Sequence, residues 1–387
     1  MRILIITTQL PYPLTEGANI RTFNLIKQLS KNHEIYLATL IKSKKELDYV
    51  QSLQPYCAKI KLVESTRSPF KRLWQIGISP IVFKPYLVKI NESDEMEKAV
   101  NELAQEVDVV QAEFPYAGQY IEKLKLKKIL DEHNVESDIL KNQYRYEQSL
   151  IRKAFSFLQY RKMLKFEKTL CMKMDIILAT SEEDKKILET FNKNVFVVPN
   201  GTDVLQDYIE DKGNKIITYI GLMSYRANVD AMLFFSQDIW PLIKNEEPAA
   251  KLLIVGKNPT EEIKALAKGD VFVTGEVENV MQYLRDTSVF IAPIRIGSGT
   301  RIKILEAMAC GKPVVSTRLG CAGLEVQDGN DIFISDGPKQ FAQRVLDLMG
   351  NKEERIRIGQ NALNLVKDRY TWDQIGNKLE KVYQNAI

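Results

Sequence analysis

Pro293-Ile294-Arg295-Ile296-Gly297-Ser298-Gly299-Thr300-Arg301-Ile302-Lys303-Ile304-Leu305-Glu306-Ala307-Met308-Ala309-Cys310-Gly311-Lys312-Pro313-Val314-Val315 decides how this chain folds. The stretch follows an apolar run, passes through a glycine-rich turn and opens a helix. Gly311, just before Pro313, stops that helix, and the chain returns as a strand. Gly297 and Gly299 let the backbone approach a ligand closely, and the unpaired amides of a helix start suit a phosphate. Arg301 and Lys303 put cations in the first turn, against the helix dipole, so an anionic ligand explains them better than helix stability does. Glu306 lies three residues beyond Lys303 on roughly the same face. A carboxylate there can accept hydrogen bonds from ribose hydroxyls while cations one turn away hold a diphosphate. An ordinary surface salt bridge is the plainer alternative for that pair.

The same alternation extends outward in both directions. Around the quoted stretch, strands are expected at 215–220, 251–255, 271–274, 289–293 and 313–317, with a helix at 228–243. The N-terminal half opens with an apolar strand at 2–8, a loop at 9–18, an amphipathic helix at 19–30 with Asn19 as its cap, and a strand at 34–40. Further short central strands are expected at 107–112, 128–131, 176–180 and 195–198. Apolar strands buried on both faces and alternating with helices make parallel sheets. At 387 residues the chain exceeds what one core usually holds, which predicts two doubly wound α/β domains with a polar linker at 206–214. The crevice at the carboxyl ends of the strands is the expected ligand site.

Composition narrows the function classes. An apolar fraction of 45% and a charged fraction of 27% describe an ordinary globular protein, and no stretch approaches the roughly 20 apolar residues that span a bilayer. The four cysteines, Cys57, Cys171, Cys310 and Cys321, lack metal-ligand spacing and read as reduced thiols. A net charge of +4 does not predict nucleic-acid binding. Between 141 and 173, however, nine Lys and Arg face only Glu147 and Glu167 and are interleaved with six aromatics. Two readings fit that helical stretch: a surface for an anionic membrane leaflet, or a long helix with a solvated basic face and aromatics in the core. A dinucleotide-binding fold is disfavoured because Ile302 stands where the third glycine of the fingerprint would fall.

The run from Gly299 to Val315 resembles the donor-binding signature of retaining family-4 glycosyltransferases. Similar segments are Pro11-Tyr12-Pro13 with Glu16-Gly17-Ala18-Asn19-Ile20-Arg21, Asp131-Glu132-His133-Asn134-Val135, Thr180-Ser181-Glu182, Pro199-Asn200-Gly201-Thr202-Asp203 and Gly221 to Asn228. The resemblance implies an α/β GT-B fold, two doubly wound Rossmann-like domains facing across a cleft. An acceptor-binding domain is expected at 1–204, joined by a terminal helix at 371–387, and a nucleotide-sugar donor-binding domain at 205–370. Ser298 stands where the family has the first of two glutamates, and Leu222 and Ala227 stand where many members carry Arg and Lys; Lys303, Arg301 and Arg226 supply charge in their place.

The resemblance further implies a metal-independent, retaining transfer from a nucleoside diphosphate sugar, UDP- or GDP-linked, to a glycan or lipid-linked acceptor. No cofactor, metal or nucleic acid is expected. Catalytic roles fall to His133, Glu306 and Lys303, with His133 orienting sugar hydroxyls. Donor contacts fall to Arg226, Gly297, Ser298, Gly299, Thr300, Arg301, Lys303 and Glu306, and the acceptor side to Glu16, Gly17, Asn19 and Arg21. A cytoplasmic protein is expected, peripheral on the inner face of the cell membrane. The alternatives are a non-catalytic nucleotide-sugar-binding protein and a nucleotide-sugar epimerase of the same fold, for whose acid and base only Glu16 and Glu132 offer themselves.

Overall fold

The computed structural model describes residues 1–65, 83–147, 149–204, 213–297 and 299–386. Ser298 and most of the expected linker, 206–212, lie outside the described residues. The chain divides into two units, residues 1–199 with 376–387, and residues 200–375.

The first unit is built on a seven-stranded sheet of β1 (Arg2–Thr7), β2 (Glu34–Ile41), β3 (Lys59–Glu64), β4 (Val109–Glu113), β5 (Lys127–Glu132), β6 (Ile176–Ala179) and β7 (Val195–Val197). Their order is β3-β2-β1-β4-β5-β6-β7, and every neighbouring pair is parallel. The central strands are apolar and buried on both faces because helices cover both sides. β3, by contrast, alternates Lys-Ile-Lys-Leu-Val-Glu and keeps one face partly exposed at the sheet edge. The order reverses between β1 and β4, so the carboxyl ends of those two strands diverge and leave a crevice.

The second unit carries β8 (Ile216–Ile220), β9 (Lys251–Val255), β10 (Val271–Val273), β11 (Val289–Ala292), β12 (Val314–Ser316) and β13 (Phe333–Ile334). These form a parallel sheet in the order β10-β9-β8-β11-β12-β13, which reverses between β8 and β11. The glycine-rich turn follows β11 and therefore stands at this second switch point.

Two expectations change in detail. The helix after β1 spans Gly17–Leu29 and Glu16 occupies its cap position, so Asn19 lies inside the helix and caps nothing. Its amide instead donates to the Pro13 carbonyl at 3.0 Å, and its oxygen accepts from Gln9 Nε2 at 2.7 Å, tying the preceding loop down. The division between units falls at 199/200 and not at 204/205. Asn200 Nδ2 donates to Thr300 Oγ1 at 2.7 Å and the Thr202 amide donates to the Tyr370 carbonyl at 2.8 Å, so this loop packs with the second unit. The helix Trp372–Ala386 starts in the second unit, where a Cβ on Gly201 would come 2.8 Å from the Trp372 ring. From Gly376 onward it belongs to the first unit, with Gly376 lying flat against Gln28.

The basic stretch forms parts of the helices Glu136–Tyr146 and Leu150–Cys171. Its residues divide between the two readings. Phe166 packs on the core of the first unit and Gln159 is buried, accepting from the Tyr86 amide at 2.8 Å. Leu150 and Ile151, at the start of the second helix, are 83% and 85% exposed. Among the described residues no helix is long and apolar enough to cross a membrane.

Candidate functional site

In the first unit the carboxyl ends of β1, β4 and β5 bring polar side chains into an otherwise apolar sheet. Register pairs Glu113 with Asp131, and His133 follows β5 immediately. His133 Nε2 lies 2.7 Å from Glu113 Oε2, and both side chains are almost fully buried. Thr22 Oγ1 donates to the same oxygen at 2.9 Å, and Gln111 Nε2 donates to Glu113 Oε1 at 2.7 Å. The next residue, Phe114, is held at φ 69°, an uncommon conformation for a bulky side chain, and its ring centroid lies 4.0 Å from that of His133. A cavity of about 200 Å³ opens beside this cluster, lined by Thr7, Gln9, Asn19, Thr22, Glu113 and Phe114 among others.

Glu113, Asp131 and His133 stand close enough together to raise the question of a metal ion. The donor set is already engaged. Arg21 donates Nε to Asp131 Oδ2 at 2.9 Å and Nη2 to Asp131 Oδ1 at 2.8 Å, so a guanidinium sits where a cation would bind. Arg21, expected on the acceptor side, is 1% exposed, with Nη1 on the Pro199 carbonyl. Of the other acceptor-side residues, Glu16 and Gly17 are exposed, and Glu16 lines the cavity with Asn19.

Next to the cluster lies a group of buried acids. Glu132 is fully buried, and neither carboxylate oxygen has a hydrogen-bond partner among the described residues. Burial lifts its carboxyl well above the ordinary range, and repulsion from Glu167 and Glu136 adds to this. Burial also lifts Glu136 to about 8 and Glu167 to about 7, the latter despite hydrogen bonds from Ser137.

In the second unit the glycine turn behaves as its sequence requires, with Gly297 at φ 109° and Gly299 at φ 79°. Helix Ile302–Ala309 follows, with Arg301 at its cap position. Lys303 reaches back from this helix to β8. Its Nζ donates to the Tyr219 hydroxyl at 3.1 Å and to Asn228 Oδ1 at 2.9 Å, and stands 4.4 Å from the Tyr219 ring centroid. The Tyr219 hydroxyl donates to the same Asn228 oxygen at 2.7 Å, and Asn228 Nδ2 is anchored on the Leu222 carbonyl at 2.8 Å. Burial and the nearby Arg301 charge lower the Lys303 amine to about 7, a shift that Glu306 opposes. Glu306 is raised by burial, with Lys303 opposing. Lys303 and Glu306 thus share one environment without forming an ion pair, and among the described residues no carboxylate reaches ion-pair distance of the amine. Arg226 is exposed in the first turn of helix Arg226–Phe234, and Thr300 is buried under Asn200. Tyr219, Asn228, Gln111, Glu113 and Thr22 belong to no chemical motif in the sequence, and the contacts that bring them to the two clusters, such as Lys303 with Tyr219 and Thr22 with Glu113, join residues far apart in the chain.

Residues 214–351 match the family described as Glycosyl transferases group 1. An uncharacterized 44.6 kDa protein in the cps region of Klebsiella pneumoniae is 23% identical over 401 residues, covering 98% of this chain and 99% of that protein. An uncharacterized glycosyltransferase of Methanocaldococcus jannaschii is 26% identical over 269 residues, covering 68% of this chain and 69% of its own length. The crystal structure of Anabaena HepE in complex with UDP superposes with a TM-score of 0.70 at 13% identity, covering 100% of both chains. That likeness extends over both sheets and gives the fold as GT-B, with two Rossmann-like domains.

Proposed function

We propose that this chain, a glycosyltransferase of the GT-B fold with a glycosyl transferases group 1 domain over residues 214–351, takes its sugar from a nucleoside diphosphate, uridine- or guanosine-linked. The transfer goes to a glycan or lipid-linked acceptor, with retention of configuration and without a metal ion. The single observation that carries the diphosphate donor is Lys303: a part-buried amine with only neutral oxygens beside it, next to a glycine turn at a strand switch point. Burying a cation without a carboxylate is costly, and an arriving diphosphate is the partner that removes the cost.

In this reading Lys303, Arg301, Arg226 and the Gly297–Thr300 turn hold the diphosphate, and Glu306 accepts from the ribose hydroxyls. His133 orients hydroxyls of the sugar, and Glu16, Gly17 and Asn19 shape the acceptor side. The bond from the anomeric carbon to the phosphate oxygen breaks as the acceptor oxygen attacks the same face. The acceptor proton passes to the departing phosphate, whose charge the cations stabilise. The HepE complex with UDP supports a uridine donor, and the relative in a cps region supports a surface polysaccharide as product.

Peripheral contact with an anionic membrane is part of the proposal, supported by Leu150 and Ile151 standing exposed beside the exposed Arg145 and Arg152. Replacing both aliphatic residues with glutamate lowers sedimentation with phosphatidylglycerol vesicles; unchanged sedimentation removes this part.

Thermal shift with UDP, GDP, ADP, CMP and NAD tests the donor site, since a ligand that binds only the folded state raises the midpoint. A rise with one nucleoside diphosphate, lost in Lys303→Ala and Glu306→Ala, is the expected result. A response to NAD alone overturns the reading.

A further inference from the structure

We propose that Glu113 is a positioning residue: it holds the proton of His133 on Nε2, so that Nδ1 presents a lone pair to a hydroxyl of the bound sugar. The inference rests on the reading of His133 as the residue that orients sugar hydroxyls, and adds to it which ring nitrogen does so and what fixes that choice.

The argument follows a chain of donors. Tyr383 donates its hydroxyl to Gln111 Oε1 at 2.5 Å. Gln111 Nε2 donates to Glu113 Oε1 at 2.7 Å, and the opposite amide orientation would set the Gln111 oxygen against that carboxylate. Thr22 donates to Glu113 Oε2 at 2.9 Å. With donors arriving at both oxygens, Glu113 is an acceptor throughout, which an ionised carboxylate is by nature. The atom of His133 that faces Glu113 Oε2 at 2.7 Å is Nε2, so Nε2 carries the proton. A ring with its single proton on Nε2 has Nδ1 as an acceptor. Phe114 packs against the imidazole and resists rotation of the ring to exchange the two nitrogens. Glu113, Phe114 and Thr22 also line the cavity, so this network borders open space where a sugar hydroxyl can enter.

A glutamine at 113 makes a sharp prediction. If its oxygen accepts from Gln111, its NH₂ faces His133 Nε2, which must then become the acceptor and move its proton to Nδ1. The opposite amide orientation sets two NH₂ groups against each other, and turning the Gln111 amide as well relieves this only by costing the Tyr383 hydroxyl its acceptor.

The chain has only two histidines, so ¹⁵N-histidine labelling of the full-length protein gives a simple spectrum, with His33→Gln to assign it. In long-range ¹H–¹⁵N spectra at mildly alkaline pH, His133 should show the Nε2–H form, and Glu113→Gln should move it to Nδ1–H. Glu113→Gln should also slow sugar transfer by about tenfold or more while the thermal shift with the nucleoside diphosphate is kept. An Nδ1–H or doubly protonated His133 in the unaltered protein overturns the proposal, and so does an Nε2–H form that survives Glu113→Gln. If Glu113→Gln fails to fold, the spectrum of the unaltered protein still decides. A tautomer that moves as expected with no change in transfer rate overturns the reading of His133 itself, because the spectra need no substrate.

Discussion

Arg21 and Asp131 form a two-pronged ion pair with both side chains shut off from solvent, one on the helix after β1 and the other at the end of β5. Such a pair adds less stability than its geometry suggests, because both ions gave up their water. Removing one partner is another matter, since it leaves an uncompensated buried charge. Arg21→Met should therefore cost about 3–5 kcal/mol in urea denaturation. The double replacement Arg21→Met with Asp131→Leu should cost clearly less. Equal losses in the two variants would show that the charge is not what matters.

Gly221 follows β8 directly, where Lys303 arrives. A Cβ on it would stand 2.6 Å from Lys303 Nζ and 2.8 Å from Asn228 Nδ2. The lysine end is flexible and can move aside, while the Asn228 amide, anchored on Tyr219 and Leu222, has to shift slightly, so Gly221→Ala should lower the melting temperature by only about 2–4 °C. The displaced amine should weaken nucleoside diphosphate binding by about tenfold, roughly one charge-assisted hydrogen bond, in calorimetric titration. A large drop in melting temperature instead would assign Gly221 to the fold and not to the ligand.

Lys303 makes donor binding depend on pH. Its amine lies at about 7 before ligand arrives, and a diphosphate favours the charged form. Binding above that point takes up a proton, so affinity should fall as pH rises past about 7, by up to about tenfold per unit. Titration in two buffers of different ionisation enthalpy should detect the proton, and Lys303→Met should abolish it. The same lowered value means that the fold disfavours the charged amine, so stability rises with pH from about 7 towards the unfolded lysine value near 10. Lys303→Met should accordingly be more stable than the unaltered protein at neutral pH.

The acids at 132, 136 and 167 act in the opposite direction. Their folded-state values are raised, to about 8 for Glu136 and about 7 for Glu167, so the folded protein holds protons that the unfolded chain releases. The stability they contribute is complete below the unfolded carboxyl value near 4.3 and is lost as pH rises through about 7 and 8. Glu136→Gln should flatten that decline and stabilise the protein at mildly alkaline pH by about 1–3 kcal/mol, read from melting curves across pH. A variant that melts in parallel with the unaltered protein at every pH would rule out this titration.

Much of the fold was legible because it is local. Apolar runs such as Ile3 to Ile6 and Ile176 to Ala179 are buried on both faces, and the turn at Gly297 and Gly299 needs the positive φ that glycine supplies. β3 is hard to see in the sequence because its lysines alternate with apolar residues at a sheet edge, and β13 because it has only two residues. The donor lysine was visible as a cation against a helix dipole. Its partners Tyr219 and Asn228 were not, since they stand 84 and 75 residues away and obey no period. Arg21 shows the reverse case. An arginine in a loop-helix motif suggests a ligand, and only the register of β4 and β5 reveals that a buried aspartate had claimed it.

The helix that begins at Trp372 also bears on the order of assembly. Tyr383 donates into the heart of the first domain, on Gln111, yet it is translated after the whole of the second domain. On a ribosome the first domain therefore waits, with Gln111 unclamped and the sheet uncovered at that point, while some 176 intervening residues, 200–375, are made. The last step in building the His133 cluster is then an event in chain synthesis. A chain stalled before residue 376 would carry every residue proposed to touch the sugar and the nucleotide, but its histidine network would lack its final donor.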